Sequence, residues 1–358
     1  MRRDRVTFMM MIGIPIIQLI LFGYAINSDP KRLPTAVYSA DNGAFSRDIV
    51  WAMQNSGYFD VTRLPRSQGE IHELLAEGRV QFALTVPVDF SRKLLRGQKP
   101  ELLLESDATD PMAVGYAMSA INALVPAVLN RDLTGPLARL RAASAPFQLI
   151  THAHYNPENV TQYNIVPGLM GVMLTMTMII ITGLAITRER ERGTMENLLS
   201  TPVHPGEVIL GKLAPYIAVG YAQVFLILLA AKFLFHVPIV GSVPLLVALT
   251  FLFIVANLAV GITFSTIAKN QLQAVQMAFF FFLPSLLLSG YMFPFRGMPG
   301  WAQDIGEILP LTHFLRIVRG ILLKGNGIGE AAPDIWPIVL FLVVVLGIGI
   351  KRYRQTLD

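Results

Sequence analysis

Two long apolar stretches, residues 165–186 and 213–235, flank a charged segment, 188–212, that reads RERERGTMENLLSTPVHPGEVILGK. At ~1.5 Å of rise per helical residue, either stretch can cross the ~30 Å hydrocarbon layer of a bilayer. The charged segment is therefore a loop joining two membrane spans, and this constrains the fold more than any other feature. Its interior is patterned as a helix, because Met195, Leu198 and Leu199 fall at i, i+3 and i+4 and share one helical face. Gly193 and Thr194 suit its start. Ser200, Thr201 and Pro202 end it, since the residue before a proline is pushed out of the α region. Pro205 and Glu207 fit the first turn of the next helix, where proline needs no amide partner and a carboxylate is favoured by the dipole. A helix of one or two turns is unstable alone and needs a partner's groove to bury its apolar face.

The rest of the chain carries four more apolar runs. With 53% hydrophobic and 15% charged residues, the sequence reads as a polytopic membrane protein. The first run, Val6 to Tyr24, follows Arg2, Arg3 and Arg5, which places the amino terminus in the cytosol. Its length, the interruptions at Pro15 and Gln18 and the poor cleavage site after Ala25 favour a retained anchor over a signal peptide. Residues 244–267 and a run ending near Ser289 form the fourth and fifth spans. Residues 335–350 form the sixth, closed by Lys351, Arg352 and Arg354 on the cytosolic side. The expected division is 1–26, amino terminus and first span; 27–164, an extracytosolic domain; 165–187, second span; 188–212, cytosolic loop; 213–290, third to fifth spans; 291–334, extracytosolic re-entrant helices; and 335–358, sixth span and tail. Both termini face the cytosol. Within 291–334, residues 301–309 and 312–323 are amphipathic half-length helices separated by Pro310, a hairpin permitted at membrane depth only where protein or water covers its backbone.

Residues 27–164 differ in character. Strand patterns at 35–39, 59–64, 81–86 and 102–105 alternate with helix patterns at 46–55, 68–77, 90–96 and 112–130, which points to an α/β layer. Residues 137–150 are expected to form a stalk or lateral arm with the last of these helices. His152 and His154, near Asn156 and Glu158, have a spacing that fits two ligands on a strand, but no third ligand follows from spacing. A solvated loop is expected there, and no metal site. The Asn159-Val-Thr161 sequon is read as chance.

The charged segment resembles the motif of ABC-2 type transporter permease subunits, an E-x-E-x-G-T-x-E-x-L-L-x-T-P-like run that forms the coupling helix. The matching residues are Glu189, Glu191, Gly193, Thr194, Glu196, Leu198, Leu199, Thr201, Pro202, Gly211 and Lys212. Residues 2–27 resemble the first span of the same family. Its members normally carry an amphipathic interface helix upstream, which is not expected within these residues. The resemblance implies six transmembrane helices in an ABC-2 (type V exporter-like) fold, with the α/β domain inserted between the first two. It also implies a homo- or heterodimer of permeases in the bacterial inner membrane, paired with ABC ATPase subunits that press on Met195, Leu198 and Leu199. The external domain suggests a periplasmic membrane-fusion adaptor as a further partner. The cargo implied first is a hydrophobic or amphipathic compound of the multidrug type; a lipid or glycan is second.

Other chemistry finds little support. Gly206 to Lys212 approximates a phosphate-binding loop, but Leu213 stands where a magnesium-binding hydroxyl belongs and no strand precedes it. No cofactor is expected in this chain, ATP and magnesium being held by the partner ATPase. No catalytic set can be nominated, and the net charge of +5 is read by its position at span ends rather than as a nucleic-acid surface. The chain has no cysteine, which excludes disulfides and thiolate chemistry. A membrane-anchored ligand sensor is the rival from another class, but no cytosolic segment is long enough for an output domain. Thr175, Thr177, Asn257, Thr263 and Ser265 are read as contacts between spans. Phe279, Phe280 and Phe282, with Tyr291 and Phe293 beyond them, are candidates for lining a path for apolar cargo.

Overall fold

A computed structural model describes residues 13, 16–18, 20–25, 30–126, 128–138, 146–192 and 205–355. The short helix expected over Met195, Leu198 and Leu199 lies outside them, as does most of the first expected span. The chain divides into two compact units, one built on residues 27–164 and the other on the apolar helices.

In the first unit β1 (Leu33–Ser39), α1 (Ala44–Asn55), β2 (Phe59–Arg63), α2 (Gln68–Ala76), β3 (Phe82–Val86), α3 (Phe90–Leu95), β4 (Glu101–Asp107), α4 (Pro111–Leu124) and β5 (Gln148–His154) form a five-stranded sheet in the order β2-β1-β3-β4-β5. β1 runs parallel to β2 and β3, β3 is antiparallel to β4, and β4 is parallel to β5. Helices make the crossovers that parallel neighbours require. Ser67 opens α2 by accepting the amide of Glu70, and Asp110 opens α4 by accepting that of Ala113 ahead of a proline-led first turn.

The two faces of the sheet have different fillings. Leu33, Val37, Leu84, Leu102 and Leu104 pack with Ile49 and Met53 of α1 and with Val114, Ala117 and Ile121 of α4. On the opposite face Ala36 and Ala83 leave room for Ile71, Leu74 and Leu75 of α2.

The structure corrects two expectations. The helix expected to run to residue 130 ends at Leu124. Residues 148–154 form the edge strand β5, where a lateral arm and then a solvated loop were expected. β5 escapes a pattern search because most of its side chains are exposed on both faces, and its identity comes from backbone pairing with β4.

The second unit holds α5 (Thr161–Glu191), α6 (Pro205–Phe233), α7 (Val243–Ile267), α8 (Gln271–Leu288), α9 (Gly300–Ile308), α10 (Pro310–Arg319), a π-helical turn at Gly320–Lys324, and α11 (Ile328–Gln355). Among the described residues five helices are long and apolar enough to cross a membrane: Thr161–Glu189, Leu213–Phe233, Val243–Ile267, Gln271–Leu288 and Ile328–Gly349. α9 and α10 form the hairpin expected around Pro310. α10 is enclosed, with Leu311, Phe314, Leu315 and Val318 at 0–1% exposure, so protein covers a helix too short to span.

Close approach in this unit depends on glycine. A Cβ on Gly171 of α5 would sit 2.7 Å from Leu311 Cδ1 and 3.0 Å from Phe314 Cδ1 of α10. One on Gly261 of α7 would sit 2.8 Å from Thr182 Cβ and 2.9 Å from the carbonyl oxygen of Ile179 on α5. Phe314 in turn stacks on Phe253 of α7 with ring centroids 4.0 Å apart. Small residues are what let helices meet where lipid offers no hydrophobic drive.

Of the polar residues expected between spans, Thr177 accepts from Gln223 Nε2 of α6 at 3.2 Å and Thr263 reaches the Val345 carbonyl of α11 at 3.3 Å. Thr175, Asn257 and Ser265 bond to carbonyls of their own helices.

Gly261→Val should cost about 1–3 kcal/mol through overpacking against a backbone oxygen that cannot move aside, read as a lower unfolding temperature in detergent. Gly115→Ala, in open space on α4, should instead stabilise by about 0.5–1 kcal/mol.

Candidate functional site

One end of the apolar unit gathers the ends of four helices. α5 finishes at Glu191, α6 begins at Pro205, and the turn between α7 and α8 covers residues 268–270. The first amides of α8 have no intrahelical partner. Asn270 accepts the amide of Gln273, and Glu191 supplies the other acceptor, taking Gln271 N–H on Oε1 at 2.8 Å and Gln271 Nε2–H on Oε2 at 2.5 Å. Bonds from the Gln271 side chain and then its backbone hold the Glu191 carboxyl below the usual carboxylate range. Glu191 thereby hooks the end of α5 to the start of α8.

Glu189 lies half-buried in the last turn of α5, and Lys212 lies in the first turns of α6. Gly193, Thr194, Met195, Glu196, Leu198, Leu199 and Pro202 fall outside the described residues.

At the other end of the unit a second set of bonds holds the hairpin. The strap between α6 and α7 pairs with the π-helical turn, Val240 N–H donating to the Leu322 carbonyl at 2.9 Å and Gly241 N–H to that of Ile321 at 3.0 Å. His313 of α10, with a side chain 5% exposed, is bonded through both ring nitrogens. Nε2–H donates to the Glu307 carbonyl and Nδ1 faces Asp334 Oδ1 of α11, each at 2.8 Å. Arg316 joins them, donating to Glu307 Oε1 at 2.6 Å and Oε2 at 3.1 Å and lying over the Phe295 ring at 4.8 Å. Two basic and two acidic groups thus clamp α9, α10 and α11 together. Spacing does not reveal this clamp; the only hint is Asp334, an acidic residue at the head of an apolar run.

Phe279 and Phe282 meet edge to face at 6.5 Å, and Phe282 and Tyr291 pack against the main apolar core. Phe280 is exposed beside Gly13. The Tyr291 ring occupies the space over Gly168 of α5, where a Cβ would come within 2.6 Å of it, and Phe293 is half-buried.

Residues 5–351 match the profile of a family described as ABC-2 family transporter protein. Among curated proteins, the chain is 28% identical to "Probable multidrug ABC transporter permease YbhS" of Escherichia coli, over 99% of this chain and 94% of that protein. It is 30% identical to "Inner membrane transport permease YhhJ" of the same species, over 90% and 86%. It is 24% identical to "ABC transporter G family member 20" of Dictyostelium discoideum, over 96% of this chain and 47% of that protein.

Removing Asp334 takes away the acceptor facing His313 Nδ1, while Arg316 keeps its two bonds to Glu307. Asp334→Ala should therefore destabilise the purified protein by about 1–2 kcal/mol. The double variant with His313→Ala should cost less than the sum of the two single changes, as read by thermal unfolding in detergent.

Proposed function

The chain belongs to the ABC-2 family of transporter proteins, and we propose that it is the permease of an exporter driven by a separate ATPase subunit bound at residues 193–202. The observation that carries this reading is the hook between Glu191 and Gln271, together with the onset of α6 at Pro205. The residues on either side of the segment whose sequence spaces Met195, Leu198 and Leu199 at i, i+3 and i+4 thereby belong to spanning helices. A push on that segment reaches α5 and α8 directly through the hook.

A spanning helix has its two ends on opposite sides of the bilayer, so α5 separates the α/β domain, before Thr161, from the segment after Glu191. We place the segment in the cytosol and the domain outside, where it would meet a membrane-fusion adaptor.

Two copies of the permease would form the transport path between them, in the bacterial inner membrane. The name of the YbhS relative supports a multidrug-type cargo. Such a cargo is apolar or amphipathic, and the apolar bundle offers it exposed apolar surface such as Phe280.

An affinity-tagged chain, solubilised in mild detergent from its native host, should retain an ABC ATPase, and Leu198→Asp should lose most of it while the permease still inserts and folds. Equal ATPase recovery with both proteins would contradict the assignment of the docking segment.

A further inference from the structure

On the face of the sheet that carries α2, the strand register aligns Ala36, Ala83, Glu105 and His152 across β1, β3, β4 and β5, with His154 two residues farther along the same side of β5. His154 Nε2 lies 2.9 Å from Glu105 Oε1. His72, on α2, sets its ring edge to face with that of His154 at 5.6 Å between centroids. One donor atom from each of His72, Glu105 and His154 lies within 4.8 Å of the other two. We propose that these three side chains form a binding site for a divalent transition-metal ion of the zinc class, independent of the transport reading above.

Two imidazoles and a carboxylate suit zinc, nickel or copper, whereas calcium and magnesium favour all-oxygen shells. Bonds of about 2.0–2.1 Å in a tetrahedral shell put ligand atoms roughly 3.4 Å apart. The present separations, from 2.9 Å to within 4.8 Å, bracket that value.

The histidine on α2 is already oriented as a ligand. Its Nδ1 lies 3.0 Å from the carbonyl of Gln68, one turn back on the helix, and a carbonyl only accepts, so Nδ1 carries the proton and Nε2 keeps its lone pair. A backbone carbonyl holding the second ring nitrogen is the usual outer-shell partner of a metal-bound imidazole.

Glu105 is 4% exposed, and a carboxylate taken from water needs compensating positive charge. Its neighbour Asp107 is committed elsewhere, accepting the Thr109 amide at 3.1 Å and the Thr109 hydroxyl at 2.8 Å. His72 is exposed, so an ion can enter without the fold opening. Three protein ligands leave one tetrahedral position for water, and the His152 ring stands 4.3 Å from that of His154. A bound ion would join α2 to β5, a strand that the sheet holds along one edge only.

The test titrates the full-length chain, stripped of metal in detergent, with Zn²⁺ in competition with a fluorescent chelator. One ion should bind per chain. His72→Ala and Glu105→Gln should each weaken binding by about tenfold or more, while His236→Ala, in the apolar unit, should leave it unchanged. Zn²⁺ should also raise the unfolding temperature of the natural chain and of His236→Ala but not of His72→Ala, whose exposed position leaves the fold intact. Undiminished Zn²⁺ binding by both His72→Ala and Glu105→Gln would overturn the proposal. So would absence of a one-to-one site in the natural chain, or equal competition by Ca²⁺.

Discussion

α5 is approached from two sides more closely than a side chain allows. α10 comes down on Gly171 and α7 meets the turn around Ile179 and Thr182 through Gly261. In an apolar solvent the gain from burying one more leucine against another helix is small, because lipid tails are as apolar as the leucine, and association rests on contact area and backbone proximity. Without those two glycines the helices would stand off by the width of a methyl group, and the stacked pair of Phe253 and Phe314 would lose its place. The enclosure of α10 depends on the same contacts: the half-length hairpin is tolerable at membrane depth because α5 and α7 close around it.

The seam on α5 also links the two ends of the bundle. At one end Glu191 satisfies the open amides of α8; at the other, His313, Arg316, Glu307 and Asp334 tie the hairpin to α11. Both are polar arrangements at the margins of an apolar body, where partial solvation lowers the cost of charge. In the proposed mechanism a partner's force enters at the loop end and travels along a helix gripped tightly on two sides. Displacement is then passed on to α7 and α10 rather than absorbed by bending, since close-packed interfaces shift as units.

Runs of some twenty apolar residues announce spanning helices because bilayer thickness leaves few alternatives, and α5, α6, α7, α8 and α11 were readable for that reason. The hairpin was readable from Pro310 and two amphipathic halves. Four strands of the sheet showed themselves through alternation or short apolar runs. β5 did not, since Gln148 to His154 carries no alternation that a buried face would impose. Sequence spacing fails equally for clusters assembled by tertiary packing: His154 meets Glu105 across 49 residues and His313 meets Asp334 across 21. For the first, only the strand register and the placement of α2 over one face bring the residues together. For the charged stretch at 188–212 the reverse holds, since the residues of its motif are contiguous and need no coordinates to be compared.

Drive from a cytosolic ATPase requires the segment after Glu191 to face the cytosol while the α/β domain faces outward. The chain has no cysteine, so a single engineered thiol reports its own position. Asn197→Cys and Trp51→Cys, the latter on an exposed site of α1, should be compared in intact spheroplasts with a membrane-impermeant maleimide. Labelling is expected at 51 at once and at 197 only after the membrane is opened. Labelling at 197 from outside intact spheroplasts would contradict that orientation and the coupling built on it.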